Sequence, residues 1–213
     1  RMALTRDETA RLAYEIERID LGIEGGLQDQ WASAFGGFNL MEFRKDLQVI
    51  VNPLKISQSV KNELLYHLVL INTGKGRMSD GILRDQKSIF MQTPEKVLEH
   101  YESLKRIAIH MKNNIVTGDV KSFGKLLDEA WMHKKQVSSK ISTEKIETLY
   151  NTAKNNGAIG GRIMGAGGGG HMIFYVEDIV NRKPLIHALE AHGARHVPFG
   201  FDDVGVQTWM VKE

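Results

Sequence analysis

Five of the six residues from Gly165 to Gly170 are glycine, and the apolar run HMIFYV follows at once. A glycine costs roughly 0.5–1 kcal/mol of backbone entropy relative to alanine, against a net domain stability of about 5–15 kcal/mol. A chain keeps such a stretch only where its backbone must turn sharply or be approached closely. Gly165, Gly167 and Gly170 satisfy the spacing G-x-G-x-x-G. That fingerprint needs a strand before it and a helix after it. Here the sequence predicts the reverse, with a helix ending near Gly157 and a strand following. The spacing G-x-x-x-x-G is also present, but His171 and Met172 stand where a phosphate-binding P-loop has lysine and a hydroxyl. A tight turn alone needs one or two glycines. What remains is a backbone cradle. Successive N–H groups without side chains form an anion-binding concavity, and a phosphate is its natural occupant.

The rest of the chain sets the frame. Thr5 and Glu8 make a T-x-x-E capping box, and Leu12, Ala13, Ile16 and Ile19 recur at helical spacing, which predicts a helix over 5–20. QDQWASAF reads as a short helix closed by Gly36 and Gly37. FNLMEF and LQVIVNPL have strand composition and predict a hairpin around Lys45–Asp46. LYHLVLINTG reads as a buried strand. SDGILRDQKSIF restarts a helix with Ser79 as its cap, and three further helical stretches begin at Pro94, Asp119 and Ser142. HMIFYV is a strand, VNRKPLIHALEAHG a helix, and RHVPFGF and GVQTWMV two short closing strands. No repeat or low-complexity linker separates these elements, which predicts an α+β fold.

Composition excludes several functions. Lys and Arg exceed Asp and Glu by only two, too little for nucleic acid or an anionic membrane. The chain has no cysteine, hence no disulfide or cysteine-based zinc site, in keeping with a cytoplasmic location. No stretch reaches the roughly 20 apolar residues of a membrane span. The opening RMALTRDETARLAYEI is no signal peptide; it runs straight into a helix and reads as an internal start. His187 and His192 are five apart and share no helical face, so the histidines predict no metal site.

A second feature gives the cradle a chemistry. In GGLQDQWASAFGGFN, Asp29 lies in a glycine-flanked turn at the start of a short helix. It can simply cap that helix. Paired with a distant glycine loop, however, it matches the needs of phosphoryl transfer: an acceptor for the substrate's hydroxyl proton and a backbone cradle for phosphate. Gln28 and Gln30 read equally as solvated polar side chains and as partners for a substrate's hydroxyls. Trp31 reads as a core aromatic before a stacking platform, and Lys134 and Lys135 as a solvated helix face.

These two stretches together resemble the GHMP small-molecule kinases. GAGGGG resembles the family's third motif, and QDQ the position of the catalytic aspartate in its galactokinase branch. LAYEIERIDLGIEGG, NTGKGRMSDGIL, LLDEAWMHKKQVS and GVQTWMV extend the likeness over the whole chain, nearest to the heptose 7-phosphate kinases and their fucokinase-like relatives. The resemblance implies an antiparallel sheet with helices packed on one face and a helical insertion. It implies two parts: residues 1–60 as the end of the N-terminal kinase domain and 61–213 as the C-terminal domain. It implies transfer from ATP with Mg2+ to the anomeric hydroxyl of a sugar phosphate, with Asp29 as base. Gly165, Ala166, Gly167, Gly168 and Gly169 would close on the transferred phosphate, and Gln28, Gln30, Thr73, Lys75, Arg77 and Arg162 would hold the substrate. Arg162 stands where the family often has lysine. The family's glycine/serine-rich ATP motif does not occur here, so the missing N-terminal segment is an expected partner and holder of the metal, and the chain alone is expected to be inactive. A homodimer stays open. A fucokinase-like sugar 1-kinase and a non-catalytic ligand-binding module are the alternatives.

Overall fold

The computed structural model describes residues 4–74, 80–209 and 211. They form two compact units, Arg1–Ile56 with Gly200–Glu213, and Ser57–Phe199.

In the first unit, α1 (Arg6–Tyr14) begins at the expected capping box. The Glu8 N–H donates to Thr5 Oγ1 at 3.2 Å and the Thr5 N–H to Glu8 Oε2 at 2.7 Å. The predicted helix continues only as a wider π-helical segment, Glu15–Asp20, after which Gly22 turns the chain at φ 64°. The short helix α2 (Gln28–Phe35) and the hairpin β1 (Asn39–Phe43) with β2 (Val49–Pro53) lie where expected, paired from Asn39–Pro53 to Phe43–Val49. Ala10, Trp31, Ala34 and Val49 make the core. Trp31 is 1% exposed, so the core reading of this ring holds.

GVQTWMV is not the strand its composition suggests: residues 205–209 pair with no strand among the described residues. Backbone contact fastens this segment instead. The Val206 N–H donates to Ser33 O at 3.0 Å and the Gly37 N–H to Asp202 O at 2.7 Å. A Cβ on Gly36 would lie 2.1 Å from the Gly205 nitrogen.

In the second unit, α3 (Gln58–His67) leads directly into β3 (Leu68–Asn72). The strand expected over LYHLVLI is therefore shorter, because Leu65, Tyr66 and His67 finish a helix. No glycine or proline marks that boundary. The His67 ring marks it, with Nδ1–H donating to Val176 O at 2.7 Å and the ring stacked on Tyr175. Next come α4 (Asp80–Gln92), α5 (Pro94–Thr117), α6 (Val120–Val137) and α7 (Glu144–Asn155), the helical insertion. The cap assigned to Ser79 lies outside the described residues.

After α7 the chain makes β4 (Ala158–Ile163), a strand the sequence reading missed, then β5 (His171–Val176), α8 (Arg182–Ala191) and the two-residue β6 (Arg195–His196). The sheet runs β4-β5-β3-β6 with every neighbouring pair antiparallel. Val69 and Ile71 of β3 face Phe174 and Met172 of β5 in register, and Ile163 of β4 faces Met172. These side chains join Ile146, Leu149 and Ala153 of α7 and Leu185 and Leu189 of α8 in one core. On β4, Gly160 lets α6 approach: a Cβ there would sit 2.0 Å from Gly124 O.

Candidate functional site

The glycine loop joins β4 to β5, so it closes a β-hairpin. The dinucleotide fingerprint is excluded by the strand that follows and not by what precedes, since a strand does precede. All five glycines adopt positive φ, from 61° at Gly165 to 156° at Gly169. L-residues rarely tolerate that conformation. Crowding adds to it at Gly167, where a Cβ would come within 2.9 Å of Ile141 Cα. At Gly165 and Gly170 a Cβ would meet nothing within 4 Å. The loop is thus pressed onto the protein at its centre and open at its ends.

Its carbonyls are held from three sides. Gly165 O accepts from Lys134 Nζ of α6, Ala166 O from Gln86 Nε2 of α4 at 3.4 Å, and Gly170 O from the Thr73 N–H at 2.8 Å. In a trans peptide the N–H points opposite to the C=O. The N–H groups of Ala166 and Gly167 therefore point away from Lys134 and Gln86. The Gly168 N–H donates to Ile141 O at 2.8 Å.

That last anchor depends on the segment after α6. Ser138 Oγ donates to Asp85 Oδ2 at 2.5 Å, and Lys140 Nζ lies 2.7 Å from Asp85 Oδ1. The hydrogen bonds from Lys140 and then Ser138 hold the Asp85 carboxyl below the usual range. A carboxylate with a depressed pKa adds stability above its unfolded pKa and loses it as pH falls through the folded one. Asp85→Asn is expected to make the unfolding midpoint less dependent on pH as the pH falls below about 4, measured by thermal melts of both proteins.

Arg162 lies on β4 opposite Ile173, half-buried, with Nε donating to Ile163 O at 3.4 Å. Desolvation lowers its pKa. Lys134 is held beside it; burial first, and the Arg162 charge second, bring its pKa from 10.5 to about 7. The solvated-face expectation therefore fails for Lys134. It fails for Lys135 too: its Nζ sits 5.6 Å from the ring centres of Trp131 and Tyr150 and 3.3 Å from Glu147 Oε1. Thr73 is 2% exposed. Lys75 and Arg77 lie outside the described residues.

In the first unit, Asp29 occupies the first turn of α2 without capping it. The N-cap is Leu27, which makes no side-chain cap hydrogen bond. The Asp29 side chain is 83% exposed, with Arg18 Nη2 3.8 Å from Oδ2. Gln28 is exposed beside it. Gln30 is buried, and its Nε2 donates to Glu17 Oε2 at 2.6 Å, so this side chain braces the π-helical segment.

Arg18 escaped the sequence reading altogether. Its guanidinium donates to the carbonyls of Glu24 at 3.2 Å, Gly26 at 3.3 Å and Ile23 at 3.4 Å. It lies so close to the turn that a Cβ on Gly25 would fall 2.2 Å from Cζ. The turn leading to Asp29 is thus wrapped around one arginine. Arg18→Lys keeps the charge and loses the planar fork. It is expected to cost about 1–2 kcal/mol, read as a lower urea midpoint at unchanged m-value.

The chain's own arrangement defines a class: an antiparallel α+β domain whose left-handed glycine hairpin is held from below by its carbonyls. Residues 111–195 match the family described as GHMP kinases C terminal. One relative is the D-glycero-alpha-D-manno-heptose 7-phosphate kinase of Campylobacter jejuni, 41% identical over 96% of this chain and 59% of its own length. A solved structure, a D-glycero-D-manno-heptose 1-phosphate kinase from Bacteroides thetaiotaomicron, superposes with a TM-score of 0.76 at 34% identity over 100% of this chain and 57% of that one. The bifunctional fucokinase/GDP-fucose pyrophosphorylase of Arabidopsis thaliana is 25% identical over 97% of this chain and 19% of its own. The chain spans less than two thirds of the length of each of these relatives. No described helix is long and apolar enough to cross a membrane.

Proposed function

We propose that this chain is the larger part of a cytoplasmic, ATP-dependent sugar-phosphate kinase. In this reading it phosphorylates the anomeric hydroxyl of D-glycero-D-manno-heptose 7-phosphate to the 1,7-bisphosphate. The glycine hairpin carries the proposal: five left-handed glycines whose carbonyls are anchored inward, with open space at Gly165 and Gly170. The likeness to a heptose 7-phosphate kinase supports the sugar. Residues 1–60 complete the N-terminal kinase domain and 61–213 form the C-terminal one.

Asp29 accepts the proton of the anomeric hydroxyl as that oxygen attacks. Its exposure leaves the carboxylate reachable, and Arg18 fixes the turn that presents it. An anomeric hydroxyl is more acidic than an ordinary alcohol, so an ionised carboxylate suffices. Backbone N–H groups of the hairpin receive the phosphate, with Arg162 beside them. Gln28, Lys75 and Arg77 orient the sugar phosphate, Gln30 acts through Glu17, and the buried Thr73 acts through the loop it packs in. ATP would supply the transferred phosphoryl group. Among the described residues no three of His, Asp or Glu converge to hold a metal ion.

The test is ATP turnover by the full-length protein. Heptose 7-phosphate, heptose 1-phosphate and fucose are offered in parallel, and the product phosphate is located by 31P NMR. Phosphorylation at the anomeric position of heptose 7-phosphate is expected. Preference for fucose would move the protein to the fucokinase-like alternative. Absence of any turnover would favour a ligand-binding module.

A further inference from the structure

Lys134 and Arg162 are two half-buried cations at the β4 end of the glycine hairpin: Lys134 Nζ donates to Gly165 O, and Arg162 Nε to Ile163 O two residues earlier. Among the described residues neither pairs with a carboxylate. Three acids of the surrounding helices are committed elsewhere. Asp85 of α4 serves Ser138 and Lys140. Glu147 of α7 serves Ser142 and Lys135. Asp128, earlier on α6, serves Tyr150 and Lys154. Two uncompensated cations withdrawn from water repel each other, and an arrangement of that kind is normally relieved by an anion. Lys134 meanwhile donates to the carbonyl of Gly165, the residue at which the loop is open.

We propose that Lys134 and Arg162 form a phosphate-binding subsite at the β4 end of the hairpin, and that the Lys134 side chain leaves the Gly165 carbonyl for the bound anion. The proposal deepens the kinase reading, resting on it for the choice of phosphate as the anion. Two sources share that chemistry: the phosphate already on the sugar, and the phosphoryl group delivered by the nucleotide. Lys134 is a donor in both states. Its neutral amine serves a carbonyl, and its ammonium serves an oxyanion, so binding phosphate takes up a proton above pH 7.

Isothermal titration calorimetry of the full-length protein at pH 8, in two buffers of different ionisation enthalpy, measures that proton. Inorganic phosphate, heptose 7-phosphate without nucleotide, and a non-hydrolysable ATP analogue without sugar are titrated separately. At least one is expected to bind with uptake approaching one proton, and the one that does identifies the source. Lys134→Met is expected to bind that ligand about tenfold more weakly and without the uptake. Lys134→Arg should keep the affinity within a few-fold and also lose the uptake. Equal uptake in wild type and both variants, or unchanged affinity in Lys134→Met, overturns the proposal.

A ligand-free readout guards against misfolding. The unfolded chain holds the Lys134 proton more tightly than the folded one, so stability rises with pH from about 7 towards 10.5. Lys134→Met should flatten that rise. The outcomes separate from those of the kinase reading. Lys134-dependent uptake without sugar-kinase turnover supports the subsite and retires the substrate. Turnover with no Lys134 dependence of binding retires the subsite alone.

Discussion

Asp29→Asn in the full-length protein is expected to lower kcat with heptose 7-phosphate by about 10²–10⁴-fold, the range of a general base. Its fold should be nearly untouched. The side chain is exposed, does not cap α2, and among the described residues touches its neighbourhood only through an Arg18 contact at 3.8 Å. The loss of a negative charge from a helix's first turn costs at most about 1 kcal/mol. KM for the sugar phosphate should change little, because asparagine keeps the size and one oxygen of the carboxylate. Measured side by side, kcat and the urea midpoint decide the matter. A collapse of turnover with a preserved midpoint assigns the base. Full turnover in the variant removes Asp29 from the chemistry and leaves its turn, wrapped around Arg18, to be explained as structure alone.

The hairpin and the Asp29 turn were legible because both are written in glycine, and glycine at such density reports backbone geometry directly. The strand β4 was not, although it holds one side of the site. AIGGRI carries two glycines where a strand ordinarily shows β-branched residues. Their reason lies elsewhere in the chain, in Gly124 of α6 and the Phe174 ring that take up the space. Arg18 was hidden for a similar cause. An arginine in a run of alternating charges reads as solvated, and only the carbonyls of residues 23, 24 and 26 turning towards it make it a buried clamp. Lys134 looked like half of a charged KK pair. Its surroundings come from β4 and the hairpin, 28 and more residues further on. A sequence shows what a segment does to its own backbone. What another segment does to a side chain appears only when the two are packed.

Gly167→Ala is expected to be the most damaging single methyl in the hairpin. Gly167 sits at φ 116°, and its Cβ would lie 2.9 Å from Ile141 Cα and 3.0 Å from Ile141 O. Backbone cannot swing aside as a side-chain end can. Strained φ costs about 1–2 kcal/mol and overpacking about 1–3 kcal/mol, so a loss of about 2–5 kcal/mol should appear in the urea midpoint. The displaced hairpin should also pull at the Gly168 N–H bond to Ile141 O, lowering turnover beyond what reduced stability explains. Gly165→Ala is the informative comparison. Its φ of 61° carries the conformational penalty without the clash, because nothing lies within 4 Å of the added methyl. It should lose only about 1–2 kcal/mol, and yet lose turnover if phosphate occupies that open space. Gly167→Ala failing in stability and Gly165→Ala failing in KM would show that the glycines answer two demands. The centre of the hairpin must fit the protein, and its ends must leave room for the ligand. Equal stability losses at both positions, with KM unchanged, would mean that the hairpin is a tight turn and no cradle.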